Sequence, residues 1–130
     1  MLPQKNIKIL DTNMILRFLM GDNAEMAAKS LEIIKNDNVF VTSEVVAEVV
    51  FVMQKVYKAS REDIYNMIMS FMNISTVEVS EYSVLSRGLE LFRDNNLDFV
   101  DCVLCAYELC YGYEVCTFDV KLQKLIDRLK

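Results

Sequence analysis

The chain has 130 residues, 53% of them hydrophobic, with a formal net charge of −5 and no histidine. The missing histidine excludes Ser-His-Asp and Cys-His catalysis and every histidine-based zinc site, leaving carboxylate, Lys, Tyr or Cys chemistry. The acidic balance speaks against nucleic-acid binding by broad electrostatic attraction, which needs clustered Lys and Arg, and leaves room for an enzyme whose carboxylates are offset by metal ions.

Ile7 to Leu10 reads as a buried strand, and Ile15, Leu16, Leu19 and Met20 then recur at helix spacing until Gly21. Asp22 opens a second helix, with Glu25 three residues on as in a capping box and Met26, Leu31 and Ile34 on its apolar side. Asn36, Asp37 and Asn38 form a turn into a strand at Val39-Phe40-Val41, after which Thr42 or Ser43 caps a long apolar helix to about Tyr57. Ser60, reciprocated by Asp63, starts a helix to about Met72, and Thr76 to Val79 alternates like a third strand. Ser80 to Arg93 is helical, Asp94-Asn95-Asn96 breaks it, and a further helix spans Phe99 to Tyr111. Val115 to Thr117 reads as a fourth strand, and Leu122, Leu125, Ile126 and Leu129 carry a final helix.

Short apolar strands separated by helices imply right-handed crossovers and a parallel sheet covered on both faces. The fold class is therefore α/β. With one Pro, three Gly and no linker or repeat, residues 1–130 are expected to form a single domain. The longest apolar region, Val39 to Val56, is interrupted by Glu44, Glu48, Gln54 and Lys55, and the start lacks a basic segment followed by a signal core. A soluble, cytoplasmic protein without a membrane segment is expected. The mean hydropathy of +0.20 is high for so small a domain, so part of the surface is expected to meet another chain.

Four cysteines, Cys102, Cys105, Cys110 and Cys116, stand in a C-x2-C-x4-C-x5-C run. Three fall in a helical pattern and one in a strand-like one, whereas zinc knuckles present thiolates from turns. They are expected to be small buried apolar residues rather than a zinc cluster.

Two aspartates, Asp11 and Asp119, each end a short apolar run and precede a helix. In open parallel sheets the ligand crevice lies beyond the carboxyl ends of the strands, which makes such acids candidates for metal ligands or acid–base groups. Each also suits a helix cap, as does Asp98, and Asp101 suits the first turn of its helix. Glu48 sits among Val45, Val46, Ala47, Val49, Val50, Phe51 and Val52, so it is either paired or part of a wet stripe with Glu44 and Lys55. Together, Asp11, Glu48, Asp101 and Asp119 would repel one another if a parallel sheet brought them close. A hard cation such as Mg²⁺ or Mn²⁺, which prefers oxygen ligands, is the usual remedy.

Taken in order, these pieces resemble the PIN-domain family, and particularly VapC-type toxin ribonucleases of toxin–antitoxin systems. The matching stretches are Ile7-Lys8-Ile9-Leu10 into Asp11-Thr12-Asn13, Ile15 to Leu19 with Gly21-Asp22, Ala47-Glu48 to Met53 with Tyr57-Lys58, Leu97-Asp98-Phe99-Val100-Asp101, and Thr117-Phe118-Asp119. The resemblance implies a three-layer α/β/α PIN-like fold with a central parallel sheet of four or five short strands. It assigns the catalytic and metal-binding roles to Asp11, Glu48, Asp101 and Asp119, with Asp98 auxiliary and Thr12, Asn13 and Thr117 supporting. Arg17 is a candidate substrate contact. Phe118 departs from the family, which often has Arg before its last Asp.

The resemblance further implies a Mg²⁺- or Mn²⁺-dependent endoribonuclease acting on RNA, a homodimer, and a small antitoxin that blocks the site. A PIN-like interaction module with a weak or inactive site is the alternative. A phosphatase of similar architecture ranks last, because its nucleophile usually has a second Asp two residues on and here that position is Asn13.

Overall fold

The computed structural model describes residues 6–130. Residues 1–5, on which the expectation about the start of the chain partly rests, lie outside the described residues. The elements run β1 (Ile7–Ile9), α1 (Thr12–Met20), α2 (Ala24–Asn36), β2 (Asn38–Val41), α3 (Ser43–Lys55), α4 (Arg61–Met72), β3 (Val77–Val79), α5 (Tyr82–Asp94), α6 (Phe99–Tyr111) and α7 (Val120–Leu129). Among the described residues no helix is long and apolar enough to cross a membrane.

Helix starts are set by short oxygen-bearing side chains. Asp11, Asn23, Thr42, Ser60 and Asp119 each accept a hydrogen bond from the backbone N–H three residues on, which satisfies a donor the helix itself leaves orphaned. Gly21 and Gly112 end α1 and α6 in the left-handed conformation, at φ 63° and 73°, where a side chain would be strained. Asn23, not Asp22, caps α2, because the Asp22 carboxylate is engaged by Arg17 Nη1 at 2.9 Å and by the Tyr57 hydroxyl at 2.6 Å. Of the apolar side expected for α2, only Ile34 is buried; Met26 and Leu31 are exposed.

The sheet has three strands in the order β1-β2-β3, all parallel. Register pairs Lys8 with Val39 and Val39 with Val77, so side chains of one parity share a face. Both crossovers advance the same way, and the right-handed rule lays α1–α2 and α3–α4 on one face of the sheet. On that face Leu10, Val39, Val41 and Val79 are buried with Ile15, Val46, Val49 and Ile68.

The sequence reading of four or five strands, buried on both faces, needs correction. Val115 to Thr117 forms no strand, and its first amide is taken: Val115 N–H donates to Glu108 Oε1 at 2.8 Å. Nor is β1 a buried strand, since Ile7 and Ile9 on the second face are 59% and 68% exposed. The helices expected over that face pack elsewhere, α5 against α4 and α6.

Arg61, at the start of α4, holds the turn between α5 and α6. Its Nη1 donates to the carbonyls of Phe92, Asn95 and Leu97 at 2.8–2.9 Å, and its guanidinium lies 4.2 Å from the Phe92 ring centre. Phe92 in turn meets Phe99 edge-on at 5.8 Å. Replacing Arg61 by Met keeps the stem and strands these carbonyls, so Arg61→Met should cost about 2–4 kcal/mol in urea unfolding.

Glu108 fastens the chain beyond α6 through Val115 and through Lys130, whose ammonium lies 2.8 Å from Oε2. Those two contacts, Lys130 first, hold the Glu108 carboxyl below its ordinary value. Its stabilising contribution is therefore present above the unfolded pKa and is lost as pH falls through the lower folded one. Glu108→Gln should melt below the wild type at pH 7, with the gap closing in acid. A gap that stays constant down to pH about 3 would mean that the carboxylate charge is not what stabilises this segment.

Candidate active site

Every strand of a parallel ladder ends on the same edge, and here the residues beyond the ends carry oxygen. Asp11 follows β1 by two residues, Thr42 follows β2 directly, and Ser80 follows β3. Ser80 Oγ accepts from Ser43 N–H at 2.8 Å, which ties the two turns together at that edge.

Asp11 and Glu48 form one group. Asp11 caps α1, with its Oδ1 accepting from Met14 N–H at 2.9 Å and its other carboxylate oxygen outside that cap bond. The next residue, Thr12, donates its hydroxyl to Glu48 Oε2 at 2.9 Å across the gap from α1 to α3. Glu48 is exposed, as are Glu44 and Lys55 of the expected stripe, and it also accepts this directed contact. Asn13 is exposed on the first turn of α1.

Asp98, Asp101 and Asp119 form the other group. Asp119 caps α7 through Leu122 N–H at 2.9 Å, while its own backbone N–H donates to Thr117 Oγ1 at 2.9 Å, so Thr117 contacts the backbone of Asp119 and not its carboxylate. Asp98 stands at the cap position of α6 without a side-chain cap bond, which leaves its carboxylate uncommitted to the helix. Burial first, then the negative charges of Asp119 and Asp98, push the Asp101 carboxyl above its ordinary value.

A cleft of about 320 Å³ opens between α3 and the start of α6; Asp98 and Asp101 line it, whereas Asp11, Glu48 and Asp119 are not among its lining residues. Its walls are α3, through Phe51, Gln54 and Lys55, and the start of α6, through Asp98 and Asp101. Among the described residues no three carboxylates or thiols converge as a ready-made metal cage. The donor chemistry nonetheless suits a hard divalent cation: all donors are carboxylate oxygens, and the charge at Asp101 meets like charges from Asp119 and Asp98, with Lys55 lining the same cleft.

Arg17 is held by Asp22, which lies low in the carboxylate range because the Tyr57 hydroxyl and Arg17 both favour its charged form. Its guanidinium ties α1 to the turn that follows it, where Asp22 also accepts from the Tyr57 hydroxyl beyond α3. Lys55, read from the sequence as part of a stripe with Glu44 and Glu48, lies two helical turns beyond Glu48 and lines the cleft beside Asp98 and Asp101, a placement the stripe reading did not anticipate. Of the cysteines, Cys102 and Cys105 are buried and Cys110 and Cys116 exposed, so only half match the expected burial. Cys116 lies outside any strand and nothing covers it.

The profile of the PIN domain family matches residues 8–127, all but the ends of the chain. The chain belongs to the PIN domain family. It is also 29% identical over 124 residues, 92% of each chain, to a VapC ribonuclease of Aquifex aeolicus (strain VF5). No solved structure matched. Family and relative together point to nuclease activity for this PIN domain.

Because the folded state binds a proton at Asp101 more tightly than the unfolded chain, ionising this residue opposes folding. That penalty is absent below the unfolded pKa and grows as pH rises through the folded one. Asp101→Asn, kept in chelator, should therefore melt above the wild type at pH 7, the difference vanishing toward pH 4. Melting below the wild type at pH 7 would give the carboxylate a stabilising role at the start of α6 instead.

Proposed function

We propose that this PIN domain is a divalent-metal-dependent endoribonuclease, a toxin of the VapC type, with Asp11, Glu48, Asp101 and Asp119 as its catalytic and metal-binding residues. The observation that carries the reading is the PIN-family match over residues 8–127, supported by Asp98 and Asp101 lining one cleft, where burial and the charges of Asp119 and Asp98 favour the protonated form of Asp101. A site built for structure alone would pair these charges; a site built for Mg²⁺ or Mn²⁺ leaves them facing each other.

Asp101 and Asp119 would hold the cation from α6 and the start of α7, with Asp98 auxiliary. Asp11 and Glu48 would complete the set from the α1–α3 side. Bound there, a divalent cation supplies Lewis acidity toward water and a phosphoryl oxygen. Thr12 fixes the direction of Glu48, and Thr117 fixes the backbone at Asp119. The first-turn N–H groups of α1 and α7, beside Asp11 and Asp119, would favour the phosphate of an incoming RNA strand. Phe118, fully exposed in the place where the family often has Arg, offers a ring to a base instead of a charge to a phosphate.

Two partners accompany the reading. The exposed Ile7, Ile9, Phe51, Phe118 and Val120 support a homodimer, and an acidic cleft supports neutralisation by a basic segment of an antitoxin. The alternative, an interaction module with a weak site, draws support from the separation of the acids into two groups.

The purified protein should cleave single-stranded RNA in Mg²⁺ or Mn²⁺ and stop in EDTA. Asp11→Asn and Asp101→Asn should each lose on the order of a hundredfold or more in rate, as removal of charge-stabilising groups does elsewhere. A fully active Asp11→Asn protein would sink the assignment. An inert wild type that binds no Mn²⁺ at millimolar concentration would favour the interaction module.

A further inference from the structure

A second feature lies beside the carboxylates. Lys121, Lys124 and Arg128 recur at i, i+3 and i+7 along α7, on one face of the helix, while Leu122, Leu125 and Ile126 on the other face are buried. All three basic residues line a cleft of about 300 Å³ opposite Asn95 and Asn96 of the α5–α6 turn. That turn leads directly into Asp98 and Asp101, and α7 begins at its cap Asp119, so the cleft opens beside the acidic group.

The charges in this cleft are unspent. All three side chains are exposed, and among the described residues none has a carboxylate within salt-bridge distance. Nearby acids are otherwise engaged: Asp94 is held by Arg93 at 2.8 Å, and Asp127 accepts from Gln123 at 2.9 Å. Arg128 Nη2 donates to Asn95 Oδ1 at 2.6 Å, which anchors the guanidinium in the lining of the cleft. Arg61 fixes the facing wall by holding the Asn95 and Leu97 carbonyls.

In a chain of net charge −5 such a concentration calls for an anionic ligand. A short anion would occupy one position, whereas cations spread over two helical turns, about 10 Å at 1.5 Å per residue, fit a charged polymer. We infer that the α7 cleft binds the phosphate backbone of single-stranded RNA and feeds it toward the carboxylates. The proposal rests on the nuclease reading for the identity of the polymer. The contacts are to phosphate, so they set affinity and register rather than sequence preference.

Binding tests this independently of turnover. Fluorescently labelled single-stranded RNA of mixed sequence is titrated with the Asp11→Asn protein and with the same protein carrying Lys121→Gln and Lys124→Gln, two residues without a protein partner. Neutralising two phosphate contacts should weaken binding on the order of 25-fold at 0.1 M salt and flatten the slope of log affinity against log salt by about 1.4. Adding Arg128→Gln should take the loss in slope to about 2. Unchanged affinity and slope in a variant that melts like its parent would overturn the proposal, as would failure of the parent to bind RNA. A wild type that binds through the stripe yet cleaves nothing with Mg²⁺ or Mn²⁺ would count against the nuclease reading alone and leave this inference supported.

Discussion

The parallel pairing of β2 with both of its neighbours is the constraint from which the site follows. Parallel strands end on one edge, and each must hand the chain to a helix that needs its first N–H groups satisfied. The side chains that do this are short and oxygen-bearing, and so Asp11, Thr42 and Ser80 come to stand in a row. Asp119 repeats the arrangement at the start of α7 without a strand before it. A helix start also stabilises negative charge, so carboxylates collect there at little cost to the fold. The edge that the backbone requires to be polar is thus the one where acid chemistry is easiest to build.

This double duty explains what the sequence could and could not say about the acids. Asp11 and Asp119 were legible as caps and as ligands alike; the cap reading holds, since one oxygen of each serves the helix, and the other oxygen lies outside the cap bond. Glu48 was undecidable from its apolar neighbours, because the hydroxyl that engages it comes from Thr12, thirty-six residues earlier. Asp98 reads as a cap and occupies the cap position, yet makes no side-chain cap bond, a distinction of rotamer that no spacing encodes.

The fold divides along the same line. Helices were legible, α6 to the residue, since their periodicity and caps are local. Strands were legible in place but not in number: β1, β2 and β3 stand where the sequence put them, and the expected fourth fails because a strand is made by its partner. Val115 to Thr117 has the composition of a strand, but Glu108 from the preceding helix takes its first amide, and the sheet stops at three. Ile7 and Ile9 look like core on hydrophobicity alone, yet pairing decided only that β1 lies at an edge, while the direction of the crossovers decided which of its faces would be covered. Arg61 left no local signal at all; its importance lies in three carbonyls more than thirty residues away.

A net charge of −5 counts against a polyanionic substrate only if charge acts as a total. At physiological salt the Debye length is about 8 Å, so an exposed charge on the far side of a domain this size is largely screened, while one lining the same cleft is not. What a strand of RNA would sense along α7 is Lys121, Lys124 and Arg128, with the nearby Asp94 and Asp127 already occupied by neighbours. What it would sense at the end of that helix is Asp119 with Asp101, a repulsion that persists until a cation fills it. An acidic composition and an anionic substrate are therefore compatible in one small domain. On the proposed reading binding is local and the catalytic end of the path would depend on metal, so that the carboxylates which repel an anionic substrate without a cation would define where it is held with one.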